Sequence, residues 1–531
     1  MTSNPGPAAG ASGHALLEAA GRQRPIQGSD HYEHSLLLDR LRTTGLFSGT
    51  ALLGLIGSLL LAAMAVGAGG ILVNDPLIDG GSLSWIRYGH GHDLATVGLY
   101  AGVAMLVWAW VRLGRDVLAG TATAQQVTVA GVAWAAPLVL SPPLFTRDVY
   151  SYLAQGALAL RGLDPYLVGP SKLPPGAVAD NVHYVWQTTP APYGPLFIYI
   201  AKMINAATGD HLILGVIGMR LVLLSGFAAL VFALPRLAHR LGGNPAVALW
   251  LVIANPLTVV HLVGGPHNDL LMIGLLAMGT LLVLEHRHAA GIALGTMAMA
   301  IKASAGVVLP FLVWIWATRL PGTRRTQLQR ASAGSMVVFA TVFAGITLVS
   351  GVGLGWIPAL DAPSLIVNWM SLPTAAGEVV HAVVAPFGQV SDHPFIMVCR
   401  LLGSAVFVAI LIRQWWLARN DGPPQTISRA STALLWAALL APATLPWYFS
   451  WALVLGAVRP WPRRTLAWVV TGCTWLVVCT YPTGESAYTS WPYQLAVVAV
   501  SLIAGASLLR PDPCGLRARV AFTCPARAGT K

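Results

Sequence analysis

The chain has 531 residues, of which 55% are hydrophobic and only 10% are charged, whereas a soluble domain usually carries about 25% charged residues. This balance excludes an ordinary soluble protein. The net charge of +12 does not indicate nucleic-acid binding either, because the lysines and arginines lie in short segments between apolar runs and form no single basic face. Basic residues in such segments are typical of membrane proteins, where they fix topology and contact anionic lipid.

The first 44 residues are polar and contain four arginines but no apolar core near the start. They are therefore not a cleaved signal peptide, and we expect a cytoplasmic tail followed by an uncleaved membrane anchor. A second cytoplasmic tail is expected at 509–531, after a transmembrane domain at 45–508. The five cysteines show no CxxC spacing, so we expect neither a disulfide framework nor a zinc site.

Apolar runs long enough to cross about 30 Å of hydrocarbon as helices recur along almost the whole chain. They predict an all-α polytopic membrane protein with about 11 to 14 transmembrane helices, since several of the runs are short or bounded by proline. The fourteen candidate spans are 46–73, 93–113, 127–145, 211–235, 246–263, 268–285, 289–302, 303–318, 332–354, 395–417, 430–444, 446–458, 464–481 and 492–508.

The distribution of basic residues predicts which segments face outward. With the N-terminus inside, 24 of the 32 lysines and arginines are cytoplasmic or lie at the cytoplasmic ends of spans, five lie in outward loops and three lie deeper within spans. This count requires a bend near Lys302 and another at 441–446, so that two broken helices point toward the outer half of the membrane. Irregular backbone at that depth is tolerated where it lines a protein-enclosed cavity.

The first long outward segment, 146–210, opens with Thr146-Arg-Asp-Val-Tyr-Ser-Tyr152 and continues as an amphipathic helix to about Leu160. Asp148, Tyr152 and Gln155 share one polar face, while Val149, Leu153 and Leu160 can lie toward lipid. Asp148 is a candidate general base or hydrogen-bond acceptor for a substrate. An equally simple interpretation is a helix N-cap.

Further along this segment come Gly162-Leu-Asp-Pro-Tyr166 and Trp186-Gln-Thr-Thr-Pro-Ala-Pro-Tyr-Gly-Pro195. Aromatic rings in a rigid, proline-punctuated loop suit a sugar ring, but they also suit an interfacial aromatic belt. An aromatic belt does not require polar residues such as Asp164 and Gln187, so these two residues favour a sugar-binding site. We therefore expect the chemistry of the protein to lie at 146–195.

Three other places carry polar or aromatic groups at the predicted outer mouth. Gly264-Gly-Pro-His-Asn-Asp269 could contact phosphate, sugar or metal, or could be a turn with an N-cap on the next helix. Lys302, at the first bend, is a candidate phosphate ligand, because a charge at membrane depth usually faces a polar partner. For Arg220 and Arg400, snorkelling or pairing with a carboxylate is equally plausible. Trp447-Tyr-Phe-Ser-Trp451 adds aromatic surface at the second bend.

These motifs together resemble those of the actinobacterial polyprenol-phosphate-mannose-dependent α-(1→6)-mannosyltransferases, a family of the GT-C superfamily of membrane glycosyltransferases. The resemblance covers nearly the whole chain after Thr44, and its first motif favours the branch that elongates the distal mannan backbone of lipomannan over the branch that starts it. The matching residues are Ser84-Trp-Ile-Arg-Tyr-Gly-His90, Arg147-Asp-Val-Tyr-Ser-Tyr-Leu-Ala-Gln-Gly156, Gly162-Leu-Asp-Pro-Tyr166, Val168-Gly-Pro170, Ala191-Pro-Tyr-Gly-Pro195, Gly264 to Asp269 and Leu445-Pro-Trp-Tyr448.

The resemblance implies a GT-C fold in the plasma membrane, a polyprenyl-phosphate-mannose donor and a mannosylated phosphatidylinositol or lipomannan acceptor, both at the outer leaflet. It implies that Asp148 is the catalytic base of an inverting displacement. Lys302, Arg147 or His267 would bind the donor phosphate. No metal is expected, since Val149 stands where many GT-C enzymes carry a second acid. The expected sugar- or acceptor-binding residues are Tyr150, Tyr152, Gln155, Asp164, Tyr166, Trp186, Tyr193, Asn268, Asp269, Trp447 and Tyr448.

Two other functions are compatible with parts of this pattern. A transporter or flippase of a lipid-linked sugar would also have broken helices and an aromatic cavity, although the chain has no paired halves and no series of membrane acids. A GT-C enzyme that uses another polyprenyl-phosphate sugar would share every motif, because the shape of the pocket selects the sugar.

Overall fold

The structure is a computed structural model that describes residue 45 and residues 48–70, 72–73, 81–481, 491–511 and 513. The predicted tail at 1–44 and nearly all of the tail predicted at 509–531, with Cys514 and Cys524, lie outside these residues. The described part of the chain is helical and contains no β-strand.

Seventeen α-helices of eight or more residues occur in the described ranges, and fourteen of them fall on the fourteen predicted spans. The other three (α4, α5 and α12) lie in predicted segments between spans, so the expected all-α polytopic fold is confirmed. The helices are α1 Gly49–Ala68, α2 Gly89–Leu118, α3 Ala124–Ala135, α4 Asp148–Leu160, α5 Pro195–Thr208, α6 Leu212–Leu241, α7 Pro245–Val252, α8 Asp269–Leu284, α9 His288–Met299, α10 Leu309–Ala317, α11 Arg324–Ser350, α12 Leu372–Val384, α13 His393–Ala418, α14 Pro423–Leu440, α15 Phe449–Gly456, α16 Arg463–Val478 and α17 Trp491–Leu509.

Helix length separates two kinds of span in the described chain. Six helices (α1, α2, α6, α11, α13 and α17) are long and apolar enough to cross a membrane alone. A seventh crossing is possible where α7 and the π-helix Leu257–Gly264 follow each other at an angle of 52°. The remaining predicted spans are shorter helices, and several of them end at the breaks that surround the site.

Both predicted breaks are present. Helix α9 ends at Met299, and a 3₁₀ turn, Ala303–Val308, precedes α10. Helix α14 ends at Leu440, and the chain then passes through a second 3₁₀ turn, Pro446–Tyr448, into α15. Proline cannot donate to a helical hydrogen bond, which explains why the Pro-rich segment 441–446 is irregular.

A further break, at Asn255-Pro256, was not expected. Asn255 accepts a hydrogen bond from the Leu257 amide across this break. The α conformation is disfavoured for the residue before a proline, so Pro256 does indicate a break in the helix. This indication is weaker than the one that the two prolines of 441–446 give.

Close backbone contacts hold α4 against α5 and the break at 300–302. A Cβ atom at Gly156 of α4 would lie 2.4 Å from the Ala201 carbonyl oxygen of α5, and one at Gly194 would lie 2.3 Å from the Ala300 oxygen. The Gly194 amide donates to the Ile301 carbonyl at 3.1 Å. Glycine permits these approaches, which bring the start of α5 next to Lys302.

The expectation that Val149 and Leu153 face lipid is wrong. Val149 is fully buried and Leu153 is 1% exposed, whereas Leu160 is 44% exposed. Helix α4 is covered on its apolar side by α5 and α6, so its amphipathic pattern reflects protein packing and not a lipid surface.

Candidate active site

Asp148 is the first residue of α4, and its side chain does not cap the helix. Its backbone amide donates to Thr146 Oγ1 at 3.0 Å, which fixes the turn that begins the helix. Oδ1 accepts a hydrogen bond from Trp186 Nε1 at 3.3 Å, and Oδ2 lies 3.6 Å from Nδ1 of His267. The carboxylate therefore points away from its own helix N-terminus, and the N-cap interpretation is wrong.

Burial raises the pKa of Asp148 to about 6, and the nearby Lys302 and the Trp186 hydrogen bond counteract part of that rise. The side chain is 19% exposed, so solvent and substrates can reach it. A carboxylate with this pKa is ionised at neutral pH and is a stronger base than an ordinary aspartate, which suits general-base chemistry.

Lys302 follows the end of α9 and forms a tight ion pair. Its Nζ lies 2.9 Å from both carboxylate oxygens of Asp269, and Trp451 Nε1 donates to Oδ1 of the same residue at 2.5 Å. Nζ also lies over the ring of Tyr448, 4.5 Å from its centroid. Asp269 is fully buried, whereas Lys302 is 14% exposed. Asp269 thus orients the lysine, and Nζ reaches a cavity.

His267 lies beside Asp148 in the turn before α8. Its ring stacks on Trp447 with centroids 3.6 Å apart, and its Nδ1 is 3.4 Å from the Tyr152 hydroxyl. Burial, reinforced by His261 and Lys302, lowers the pKa of His267 well below its usual value. The imidazole is therefore neutral. The amide of the next residue, Asn268, is fully buried, and neither of its polar atoms has a hydrogen-bond partner in the described chain.

Arg220 of α6 fixes the turn that carries His267. It is 1% exposed and forms no ion pair within the described residues, so neither snorkelling nor carboxylate pairing occurs. A fork of guanidinium donors matches several carbonyls at once. The acceptors are the carbonyl oxygens of Val139 at 2.9 Å, Ser141 at 2.6 Å, Val263 at 3.2 Å and Gly264 at 2.7 Å.

Two cavities meet at Asp148. The first, of about 410 Å³, is mostly apolar; Lys302, Tyr152 and Tyr193 line one side of it, and α13 and α14 form the other. The second, of about 430 Å³, is more polar and is lined by Arg147, His183 and Asn368 among others. The walls of both contain Asp148, Trp186, Ile366, Leu445 and Trp447.

Besides His267, Asn268 and Asp269, four predicted site residues line neither of these cavities. The Tyr150 hydroxyl donates to the Gly70 carbonyl in the core, and Gln155 is 3% exposed. Asp164 accepts a hydrogen bond from the Tyr166 amide at 2.9 Å, and Tyr166 packs in a separate cluster with Ile198 and Trp356. The contacts of Tyr150, Asp164 and Tyr166 stabilise the segment that carries Asp148.

Sequence reasoning missed the part of the site contributed by residues 360–369. Leu360 lines the apolar cavity, Leu365 and 367–369 line the polar one, and Ile366 lines both. The available signals were the length of the segment 355–394 and its Asn-Trp pair at 368–369, but neither indicates a contact with a loop two hundred residues earlier. Among the described residues, no group of three or more His, Cys, Asp or Glu side chains is arranged to hold a metal ion.

An all-α polytopic fold, with a carboxylate between an apolar and a polar cavity, is consistent with the GT-C class of membrane proteins. Two sequence comparisons specify the family. The family model described as "Alpha-(1->6)-mannopyranosyltransferase, N-terminal domain" matches residues 51–318, and the model described as "MptB C-terminal domain" matches 373–510. The chain belongs to the α-(1→6)-mannopyranosyltransferase family.

Individual relatives agree with this membership. The chain is 42% identical to alpha-(1->6)-mannopyranosyltransferase A of Mycobacterium tuberculosis over 481 residues, which are 90% of this chain and 93% of the relative. It is 32% identical to the A protein of Corynebacterium glutamicum, over 74% of this chain and 85% of that one. With the B protein of C. glutamicum the identity is 30%, over 85% and 79%. The expected resemblance to the A branch is confirmed.

Proposed function

We propose that the protein is a membrane mannosyltransferase that moves mannose from polyprenyl-phosphate-mannose to the 6-hydroxyl of an α-(1→6)-mannan acceptor. The donor, the acceptor and the base are the parts that this proposal adds to family membership. One observation carries it: the carboxylate of Asp148 lies in the wall common to two cavities of different chemistry.

The apolar cavity suits the donor. Its sides are formed by helices of the transmembrane domain. Lys302 is the one lysine among the described residues that line it, and its Nζ faces the stacked rings of Tyr448 and Trp451. A prenyl phosphate needs apolar walls next to a cation, and a lysine is a common phosphate ligand. We propose that Lys302 binds the donor phosphate and that Tyr193 and Tyr152 border its mannose.

The polar cavity suits the acceptor. It is lined by Arg147, whose Nη2 donates to the Asn181 carbonyl at 3.0 Å, and by the rings of Tyr184 and Trp186. Sugars bind such surfaces through stacking and through hydrogen bonds to their hydroxyl groups. Arg147 is therefore proposed to contact the acceptor, and it is a less suitable donor-phosphate ligand than Lys302 because it lines the other cavity.

The proposed reaction is one displacement. The acceptor oxygen attacks the anomeric carbon as Asp148 takes the hydroxyl proton, and the bond from that carbon to the phosphate oxygen breaks. Polyprenyl phosphate leaves as an anion, and Lys302 stabilises the charge that develops on it. The leaving phosphate needs no proton, so one carboxylate suffices, whereas glycoside hydrolysis uses two. Inversion of a β-linked donor gives an α product.

His267 has a different proposed role from the one expected. Because its ring is neutral and stacked beneath Trp447, it is a poor ligand for a phosphate anion. It lies next to the carboxylate oxygen of Asp148 instead, and we propose that it orients this oxygen toward the acceptor. We also propose that the reaction requires no divalent metal.

The test uses purified protein in lipid nanodiscs containing EDTA, radiolabelled polyprenyl-phosphate-mannose and a short α-(1→6)-mannoside. Asp148→Asn is expected to lower the transfer rate by about 10²- to 10⁴-fold, the usual contribution of a general base. Asp164→Asn is the matched control. It removes a carboxylate from the same segment but preserves the acceptor of the Tyr166 amide bond, so its rate should stay within about twofold of the wild type.

Two results would contradict the proposal. Native transfer by Asp148→Asn would exclude this residue as the base. Movement of the labelled lipid across the bilayer of sealed proteoliposomes containing the wild-type protein, without mannose transfer to any α-(1→6)-mannoside, would favour a transporter.

A further inference from the structure

Residues 364–369, which we name the strap, form part of the wall of both cavities. The segment that contains Asp148 does not supply this part. Ile366 borders both cavities, and Leu365, Val367, Asn368 and Trp369 border the polar one. Leu365 and Val367 are 62% and 56% exposed, whereas Asn368 is buried and the ring of Trp369 packs against that of Trp475. Packing therefore fixes the end of the strap at 368–369, and the position of 364–367 depends more on hydrogen bonds.

Arg400, two turns into α13, supplies those hydrogen bonds. Its Nη1 donates to the Ser364 carbonyl at 2.5 Å, and Nη2 donates to the Ile366 carbonyl at 2.7 Å. Nε donates to Thr374 Oγ1 at 3.0 Å. Among the described residues, no carboxylate forms an ion pair with Arg400. The planar fork of a guanidinium spans two carbonyls in a way that a lysine cannot.

The same contacts connect the strap to the broken helix that borders the donor cavity. Thr374, which accepts from Arg400, donates to the Pro442 carbonyl at 2.8 Å, and Ser371 donates to the Ala441 carbonyl at 2.7 Å. Ala441 and Pro442 line the apolar cavity. One arginine in a membrane helix is thus linked to the walls of both cavities.

Asp148 must accept its proton from an acceptor hydroxyl and not from water. If water reached the anomeric carbon, its oxygen would form the new bond, Asp148 would take its proton, and the products would be free mannose and polyprenyl phosphate. Walls that exclude water suppress such side reactions. In the strap, this wall includes Leu365 and Val367, which are largely exposed.

We infer that Arg400 is a positioning residue that holds the strap beside Asp148, so that the acceptor and not water receives the mannose. This inference rests on the proposed transfer reaction. Arg400 lines neither cavity. It acts through the carbonyls of Ser364 and Ile366, and its loss changes the partition between transfer and hydrolysis more than it changes donor consumption.

The experiment measures free mannose and mannosylated acceptor from the same reaction, with full-length protein in nanodiscs and labelled polyprenyl-phosphate-mannose. Arg400→Gln should raise the ratio of free to transferred mannose by at least about tenfold, and it should raise the acceptor KM. Arg400→Lys retains the charge but reaches one carbonyl at most, so it should give an intermediate ratio. Arg413→Gln on the same helix is the control, because Arg413 is exposed and should leave the ratio unchanged.

The outcomes separate this inference from the proposed function. If the wild type transfers mannose and both Arg400 variants keep its product ratio and acceptor KM, the role of Arg400 is only structural and the inference is wrong. If Arg400→Gln fails to fold, the ratio of free to transferred mannose is measured with Arg400→Lys alone, and a ratio equal to that of the wild type contradicts the inference. A wild type that neither transfers nor hydrolyses the donor would overturn the proposed function itself, and the inference with it.

Discussion

The hydrogen bond from Trp186 to Asp148 should be visible in the pH dependence of the reaction. Burial raises the pKa of Asp148 to about 6, and this hydrogen bond lowers it. Trp186→Phe removes the indole N–H but keeps an aromatic ring, so the pKa of Asp148 should rise further. The base must be ionised, and a higher pKa therefore means that kcat/KM falls at higher pH as the solution is acidified.

The geometry sets the size of this effect. A hydrogen bond to a charged group contributes about 1.5 to 3 kcal/mol. The distance of 3.3 Å is at the long end for such bonds, so about half of that range applies. At about 1.4 kcal/mol per pKa unit, the pKa rises by about half a unit to one unit. The variant should lose about two- to fivefold in relative kcat/KM at about pH 6, and less than about 10% at about pH 8.

The assay is kcat/KM for mannose transfer between about pH 5 and pH 8.5, each profile normalised to its own plateau. Normalisation removes any loss of binding that results from the smaller ring. Tyr184→Phe is a suitable control, because Tyr184 lines the polar cavity only and its change should leave the acid limb in place. The reasoning is refuted if the acid limb of Trp186→Phe stays where it is or moves to lower pH.

Two other substitutions test the charged groups of the site. Lys302→Met should lower kcat by at least about 10²-fold, because the leaving phosphate would lose the cation proposed to bind it. Single-turnover rates at saturating donor measure this, and equal rates for variant and wild type would contradict the proposed role. Arg220→Met should lower the free energy of unfolding by about 3 kcal/mol or more, because four carbonyls lose their buried donor. Equilibrium unfolding in denaturant measures that loss, and an unchanged curve would mean that the carbonyls find other partners.

The membrane architecture could be predicted because the hydrophobic effect acts on each apolar run separately. Every predicted span coincides with a helix, and the bends at Lys302 and at 441–446 followed from the count of basic residues. The break at Asn255-Pro256 needed a different argument, since a single Asn-Pro step inside an apolar run is compatible with either a kink or a continuous helix.

The site was only partly predictable, because its contacts join residues far apart in the sequence. Asp148 and Trp186 belong to one segment and could be chosen by residue type. The partner of Lys302 is Asp269, 33 residues earlier, and no sequence pattern distinguishes that pairing from a phosphate contact for either residue. Helix α4 was assigned a lipid face because an amphipathic period looks the same whether its apolar side meets lipid or protein.

Arg220 and Arg400 have the same kind of structural role. Each extends from a long membrane helix and binds backbone carbonyls of a segment that carries site residues. The irregular segments of the site are thus held by two arginines that extend from long apolar helices. A shift of either helix would therefore move a wall of the site with it, although neither arginine lines a cavity at Asp148.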